Sequence, residues 1–153
     1  MKAVVQRVSR GSVEIGTDYE RKIGEGMVVL LGVNKSDLSS HAKKLAEKIC
    51  NLRIFNDENE KLNKSIIDIH GEMLIISQFT IYGDCRKGNR PSFTDAAGAE
   101  LGNKLYQEFV ENVSAILGAD KVKTGIFGAM MSVEIINDGP VTLIVSIENE
   151  ELL

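Results

Sequence analysis

The sequence predicts an α/β fold: a single domain over residues 1–153, with two β-sheets and a helical layer. Three observations carry this. Apolar and polar residues alternate near both ends, over Lys2–Ile15 and Met131–Ile147, which is the period-2 signature of strands. Ala42–Leu52 and Leu101–Leu117 instead repeat apolar residues every three or four positions, as an amphipathic helix does. Each helical stretch is preceded by a run that is apolar on both faces, Met27–Val33 and Met73–Tyr82, as in strands covered on both sides. The expected order is two strands, two strand–helix units and about three strands, a repeated β-α pattern with antiparallel additions.

Taken in order, Lys2–Arg10 reads as one strand and Ser12–Ile15 as its partner, with a turn at Arg10-Gly11. Arg7 shares a face with Ala3 and Val5. Its default place is a sheet margin in water; the alternative is a fixed polar target. Thr17–Lys22 reads as a polar loop, and Gly24-Glu25-Gly26 leads into Met27–Val33. Ser36 reads as the N-cap of the first helix, with Asp37 in its first turn. Ala42, Leu45, Ala46, Ile49 and Leu52 form that helix's apolar face. Arg53–Phe55 is a short strand, and Asn56–Lys64 an exposed loop or hairpin tip. Ile66–Ile69 leads through His70-Gly71 into Met73–Tyr82.

That run organises the rest. Read as a strand, it puts Met73, Ile75, Ser77, Phe79 and Ile81 on one face, and Leu74, Ile76, Gln78, Thr80 and Tyr82 on the other. Ser77, Gln78 and Thr80 then place hydroxyl and amide groups where a core prefers carbon. Buried polar groups without partners cost free energy, so these residues are expected to line a pocket. Asp138-Gly139-Pro140 is expected to close it. The Gly83–Ser92 loop concentrates Arg86, Lys87 and Arg90. A second helix is expected from about Thr94-Asp95 to Gly118, with Leu101, Leu105, Phe109, Val113 and Leu117 as its stripe. Met131–Ile136 and Val141–Ile147 read as two strands joined by a turn at Asn137-Asp138-Gly139-Pro140. For the bond before Pro140, trans is the default.

The totals exclude several classes of function. The chain has 43% hydrophobic and 26% charged residues, ordinary for a globular protein. Its net charge of −4 argues against broad, nonspecific nucleic-acid binding, though not against a local basic patch. Cys50 and Cys85 lie far apart and form no redox or zinc motif, which points to a reducing, cytoplasmic setting with no metal. No run approaches the ~20 apolar residues of a membrane span, and no signal-peptide core is expected at the start. No P-loop, G-x-S-x-G elbow, dinucleotide fingerprint or H-E-x-x-H is present. His41 reads as a solvated helix residue and His70 as a turn residue. Cys85 and Thr80 are nucleophile types without an adjacent base in the sequence. Arg86, Lys87 and Arg90 read either as a solvated charge run or as a grip on phosphates.

Ser77-Gln78-Phe79-Thr80 and Asn137-Asp138-Gly139-Pro140-Val141-Thr142 together resemble the two signature motifs of the D-aminoacyl-tRNA deacylases. The similarity runs from Ala3-Val4-Val5-Gln6-Arg7-Val8 to the final strand. Ile81 departs from it conservatively, where leucine is commoner. The resemblance implies a cytoplasmic, homodimeric proofreading hydrolase without a cofactor. Such an enzyme cleaves the ester between a D-amino acid, or glycine, and the 3′-terminal adenosine of tRNA. It implies a catalytic strip of Ser77, Gln78, Phe79 and Thr80. It also implies a cis Gly139-Pro140 peptide that reaches into the partner's pocket and rejects L-amino acids, with Arg7 bracing it. Arg86, Lys87 and Arg90 are candidate tRNA contacts. Three other readings stay open: a noncatalytic RNA- or nucleotide-binding module, an editing domain of the archaeal threonyl-tRNA synthetase kind, and a generic small-ester hydrolase. That no synthetase follows Leu153 weighs against the editing domain.

Overall fold

The first strand, β1, runs unbroken over Lys2–Ile15 in a computed structural model that describes residues 1–153. Gly11 does not turn the chain. It pairs with Ile23 on one side and Ile135 on the other, and a Cβ there would lie 2.9 Å from Val28 Cγ2. The glycine serves close packing inside the strand, and the turn falls at residues 16–18, where Gly16 has φ 58°. The expected polar loop is therefore mostly strand: β2 (Tyr19–Ile23), antiparallel to β1. β3 (Gly26–Gly32) returns antiparallel to the earlier part of β1, along the same edge as β2.

Helix α1 spans Ser39–Cys50 and starts later than expected, behind Leu38. The Ser36 hydroxyl is not the cap because Asn34 Oδ1 takes it at 2.8 Å. Asp37 is also diverted: it accepts the Asn34 N–H at 2.6 Å and pairs with the Met1 ammonium. The hairpin β4 (Phe55–Asn56) and β5 (Leu62–Lys64) makes the small second sheet, its tip in the expected polar segment. β6 (Glu72–Ser77) runs parallel to β3 and gives way to a 3-10 turn over Phe79–Tyr82. Helix α2 (Ala99–Leu117) starts after the expected Thr94-Asp95. The segment before it is tied to the chain after β3, with Lys35 N–H donating to Asp95 O and Ala97 N–H to Val33 O. Gly118, at φ 97°, closes the helix as expected.

β7 (Val122–Thr124) pairs parallel with β6, and β8 (Ser132–Glu148) pairs with β1. β8 passes straight through Asn137-Asp138-Gly139-Pro140, so the expected turn is absent. The extra residues are absorbed as an irregularity: Gln6 faces Thr142, but Val8 faces Asn137. β9 (Glu151–Leu152) folds back on β8. The main sheet has seven strands in the order β7-β6-β3-β1-β8-β9, with β2 also paired to β1. The α/β class and two sheets follow the sequence reading, but the second sheet is only a hairpin.

One face of the main sheet packs Ala3, Val5, Val29, Leu31 and Ile75 against α1 and α2, through Leu45, Ile49, Leu105 and Phe109. Full burial of each large side chain contributes roughly 1.5–3 kcal/mol. The other face curls around a smaller core of Val8, Val13, Val28, Leu74 and Ile76. Tyr19 Oη donates to Thr124 O at 2.9 Å and ties the β2 and β7 margins together. His41 is not solvated. It is 5% exposed, with Nδ1 3.0 Å from Asp37 Oδ1 and Nε2 3.3 Å from Glu150 Oε1. His70 is a turn residue at φ 54°. No helix is long and apolar enough to cross a membrane.

Candidate active site

Leaving the sheet after Ser77 is the event that builds the site. Gln78 N–H still donates to Leu31 O at 2.8 Å, and then the backbone turns, with Gln78 at φ −144° and ψ 84°. Gly32 makes the turn possible. A Cβ there would lie 3.1 Å from the Tyr82 ring and 3.2 Å from Gln78 O. The period-2 reading of Met73–Tyr82 thus holds only to Ser77. Beyond it, Phe79 and Thr80 are exposed rather than alternating between faces. A 3-10 turn leaves its opening N–H groups without acceptors inside the turn, here those of Phe79 and Thr80.

Ser77, Gln78 and Phe79 line a cavity of ≈ 520 Å³. Its far wall is Ala97, Ala99 and Gly102 at the start of α2, together with the Phe127–Met131 loop. At Gly102 an added Cβ would lie 3.4 Å from Phe127 Cζ, so small residues leave a slot beside the ring. The cavity's lining is mostly apolar with a few polar groups at one side, the usual pattern for a ligand site. Thr80 is not part of that lining; its hydroxyl accepts a hydrogen bond from Gln78 Nε2. Sequence reasoning had no signal for Phe127 or Gly102, because they reach the cavity only through long-range packing.

Arg7 contradicts the solvated default. It is 6% exposed, and its guanidinium donates from Nε to Asp138 O at 2.9 Å and from Nη1 to Ile54 O at 2.8 Å. Asp138 Oδ2 lies 3.2 Å from Nε. The side chain thus joins β8 to the root of the β4–β5 hairpin. Beside it Gly139 has φ 125° and the Gly139–Pro140 bond is cis, against the trans default. Both residues are exposed.

The two motifs do not meet within one chain. Ser77 is level with Leu31, Ala3 and Val145 across the sheet. Gly139 lies opposite Arg7, farther along β1. At ~4.8 Å per strand and ~3.3 Å per residue, the separation is about 14 Å across and about 13 Å along. Within one chain, then, Asp138-Gly139-Pro140 does not close the cavity.

The cationic loop is closed by paired Asp84 and Ser92. Arg86 donates from Nε and Nη2 to Asp84 at 2.8 and 2.7 Å, and this guanidinium holds the Asp84 carboxyl at about 2. Lys87 and Arg90 are exposed on the same loop. Cys85 is exposed, whereas burial pushes the Cys50 thiol up to about 12. No three His, Cys, Asp or Glu side chains converge as a metal site.

Residues 4–146 match the family model described as D-Tyr-tRNA(Tyr) deacylase. The chain belongs to this deacylase family. A D-aminoacyl-tRNA deacylase of Thermosipho africanus is 54% identical over 147 residues, covering 94% of this chain and 95% of the relative. One from Clostridium botulinum strain 657 is 55% identical over 144 residues, with the same coverage. Among solved structures, the c-Myc DNA Unwinding Element Binding Protein superposes with a TM-score of 0.91 at 42% identity, covering 97% of this chain and 99% of that one. A probable eukaryotic D-amino acid tRNA deacylase superposes with a TM-score of 0.82 at 17% identity, covering 95% and 98%, a likeness of fold alone. Deacylase-family membership fits the α/β fold and both motifs at the positions where the sequence shows them.

Proposed function

We propose that the chain is a D-aminoacyl-tRNA deacylase: an ester hydrolase that frees tRNA from D-amino acids, and from glycine on non-cognate tRNA. It acts as a cytoplasmic homodimer in proofreading, with each active site at the subunit interface. The observation that carries this is the complementary pair of half-sites. Ser77–Phe79 bound an open cavity, while Arg7 presents an exposed Gly139-Pro140 too far away to enter it. Two copies related by a two-fold would place one's half-site in the other's. An apolar row suits that contact: Val4 pairs with Leu30 and Ile144, and Ile144 is 69% exposed.

In this reading the aminoacyl-adenosine occupies the cavity, and backbone at Gly139-Pro140 of the second copy crowds the substrate Cα. An L side chain has no room there; hydrogen or a D side chain does. Such exclusion is steric and blind to side-chain identity, which suits an enzyme acting on many D-amino acids. The absence of a Cβ at residue 139 allows the close approach. Water adds to the ester carbonyl carbon, and the oxyanion is held by the Phe79 and Thr80 N–H groups. The bond to the ribose 3′-oxygen then breaks. The adjacent ribose hydroxyl takes the proton from water and passes one to that oxygen.

The deciding experiment compares D-tyrosyl-tRNA with L-tyrosyl-tRNA. Release from the D ester alone is expected. Release from neither would leave a noncatalytic binding module, and cleavage of a simple ester without tRNA would indicate a generic esterase. Thr80 offers a second test. Its hydroxyl is bonded to Gln78 and has no base beside it, so Thr80→Ala is expected to keep kcat within about 10-fold. A nucleophile's removal would instead cost on the order of 10⁴-fold or more.

Salt tests the loop. Lys87 and Arg90 are free to meet phosphates, whereas Arg86 is occupied by Asp84. The Lys87→Ala/Arg90→Ala pair should flatten the plot of log affinity against log salt by roughly 1.5 units, and Arg86→Ala by less. An unchanged slope with all three replaced would remove the loop from the tRNA interface.

A further inference from the structure

We propose that Phe93 is a positioning residue that orients the Phe79–Tyr82 turn and links it to the cationic loop. This rests on the deacylase reading above. The turn whose opening N–H groups would hold the oxyanion buries none of its own residues. Short 3-10 turns also have poor internal hydrogen-bond geometry, so this one needs outside support. Phe79 supplies the lever. The residue is 56% exposed at the cavity edge, and its ring meets the Phe93 ring edge to face, with centroids 5.2 Å apart and planes at 72°. Such a pair is attractive beyond its buried area and favours one ring orientation over others.

Phe93 reaches the other end of the turn as well. A Cβ at Gly83 would lie 3.1 Å from Phe93 Cε1 and 3.0 Å from Thr80 O, so glycine there lets the ring lie over the turn's exit. Phe93 itself is held firmly. Its carbonyl accepts the Ala96 N–H at 3.1 Å, and Ala97 N–H donates to Val33 O at 2.9 Å, fixing the segment beyond the end of β3. Immediately before it, Ser92 closes the cationic loop on Asp84 through bonds of 2.7 and 3.0 Å. One aromatic side chain thus stands between the residues that would grip phosphates and the amides that would hold the oxyanion.

The test is steady-state cleavage of D-tyrosyl-tRNA by Phe93→Ala, Phe93→Leu and Phe93→Tyr, alongside wild type. Misplacement of the amides by about 1 Å should lower kcat by about 10- to 100-fold in the alanine and leucine variants. KM and its salt dependence should stay within about 3-fold of wild type, and tyrosine should restore kcat because it keeps the ring. Wild-type kcat in both the alanine and leucine variants would overturn the proposal. So would a raised KM with kcat unchanged, which would mean that Phe93 only seats the loop. If the alanine variant melts early, the leucine and tyrosine pair decides. A wild-type protein that releases nothing would defeat the deacylase reading itself, and this proposal with it.

Discussion

Arg7→Ala is expected to lower stability by about 2–4 kcal/mol and deacylation of D-tyrosyl-tRNA by more than 100-fold. The guanidinium is buried and donates to two backbone carbonyls, Ile54 O and Asp138 O. Charge-assisted bonds of this kind contribute about 1.5–3 kcal/mol each, and alanine leaves the Ile54 carbonyl without its donor. The Asp138 carboxylate adds little because its side chain is 54% exposed. The effect on activity exceeds the effect on folding because Arg7 fixes where the Gly139-Pro140 segment projects. Arg7→Lys should recover part of the stability and little activity, since an ammonium cannot span both carbonyls in the fork geometry. Thermal unfolding and turnover, measured on the same samples, check this. Full activity in the alanine variant would show that the Gly139-Pro140 segment needs no brace.

Gly139→Ala should lower D-ester turnover by about 10- to 100-fold and narrow the difference between D and L substrates. Two features make the position intolerant. Its φ of 125° is strained for a residue with a side chain, at a cost of order 1–3 kcal/mol. A Cβ would also stand 3.0 Å from Arg7 Nη2 and 3.1 Å from Val141 Cγ2. The segment must shift, and the wall proposed to exclude an L side chain would shift with it. Parallel assays on D- and L-tyrosyl-tRNA report the ratio. If both rates match wild type, chirality is checked elsewhere. Because Arg7 and Gly139 are in contact, the double variant should fall short of the sum of the single effects.

Both helices were legible because their apolar stripes obey a local 3.6-residue period, but their starts were not. Ser36 had the right chemistry for a cap, yet Asn34 captured its hydroxyl. Gly11 and Asn137–Pro140 carry turn-forming residues, yet both lie inside long strands. Pairing with neighbours on both sides stabilises extended backbone at Gly11 against the local preference. The motif Ser77–Thr80 was visible as polar residues in an apolar run. Its 3-10 conformation was not, because it depends on the room left by Gly32, distant in sequence.

By itself the sequence determined the α/β class, the two helices, and the two motifs that mark the deacylase family. Those depend on residue type and short-range spacing, which can be read along the chain. The tertiary structure alone decided that Arg7 is buried on Asp138 and Ile54, and that the two motifs lie apart within one chain. It also set Phe93 against Phe79. Each of these follows from strand order and register, which join residues far apart in sequence and leave no periodic trace.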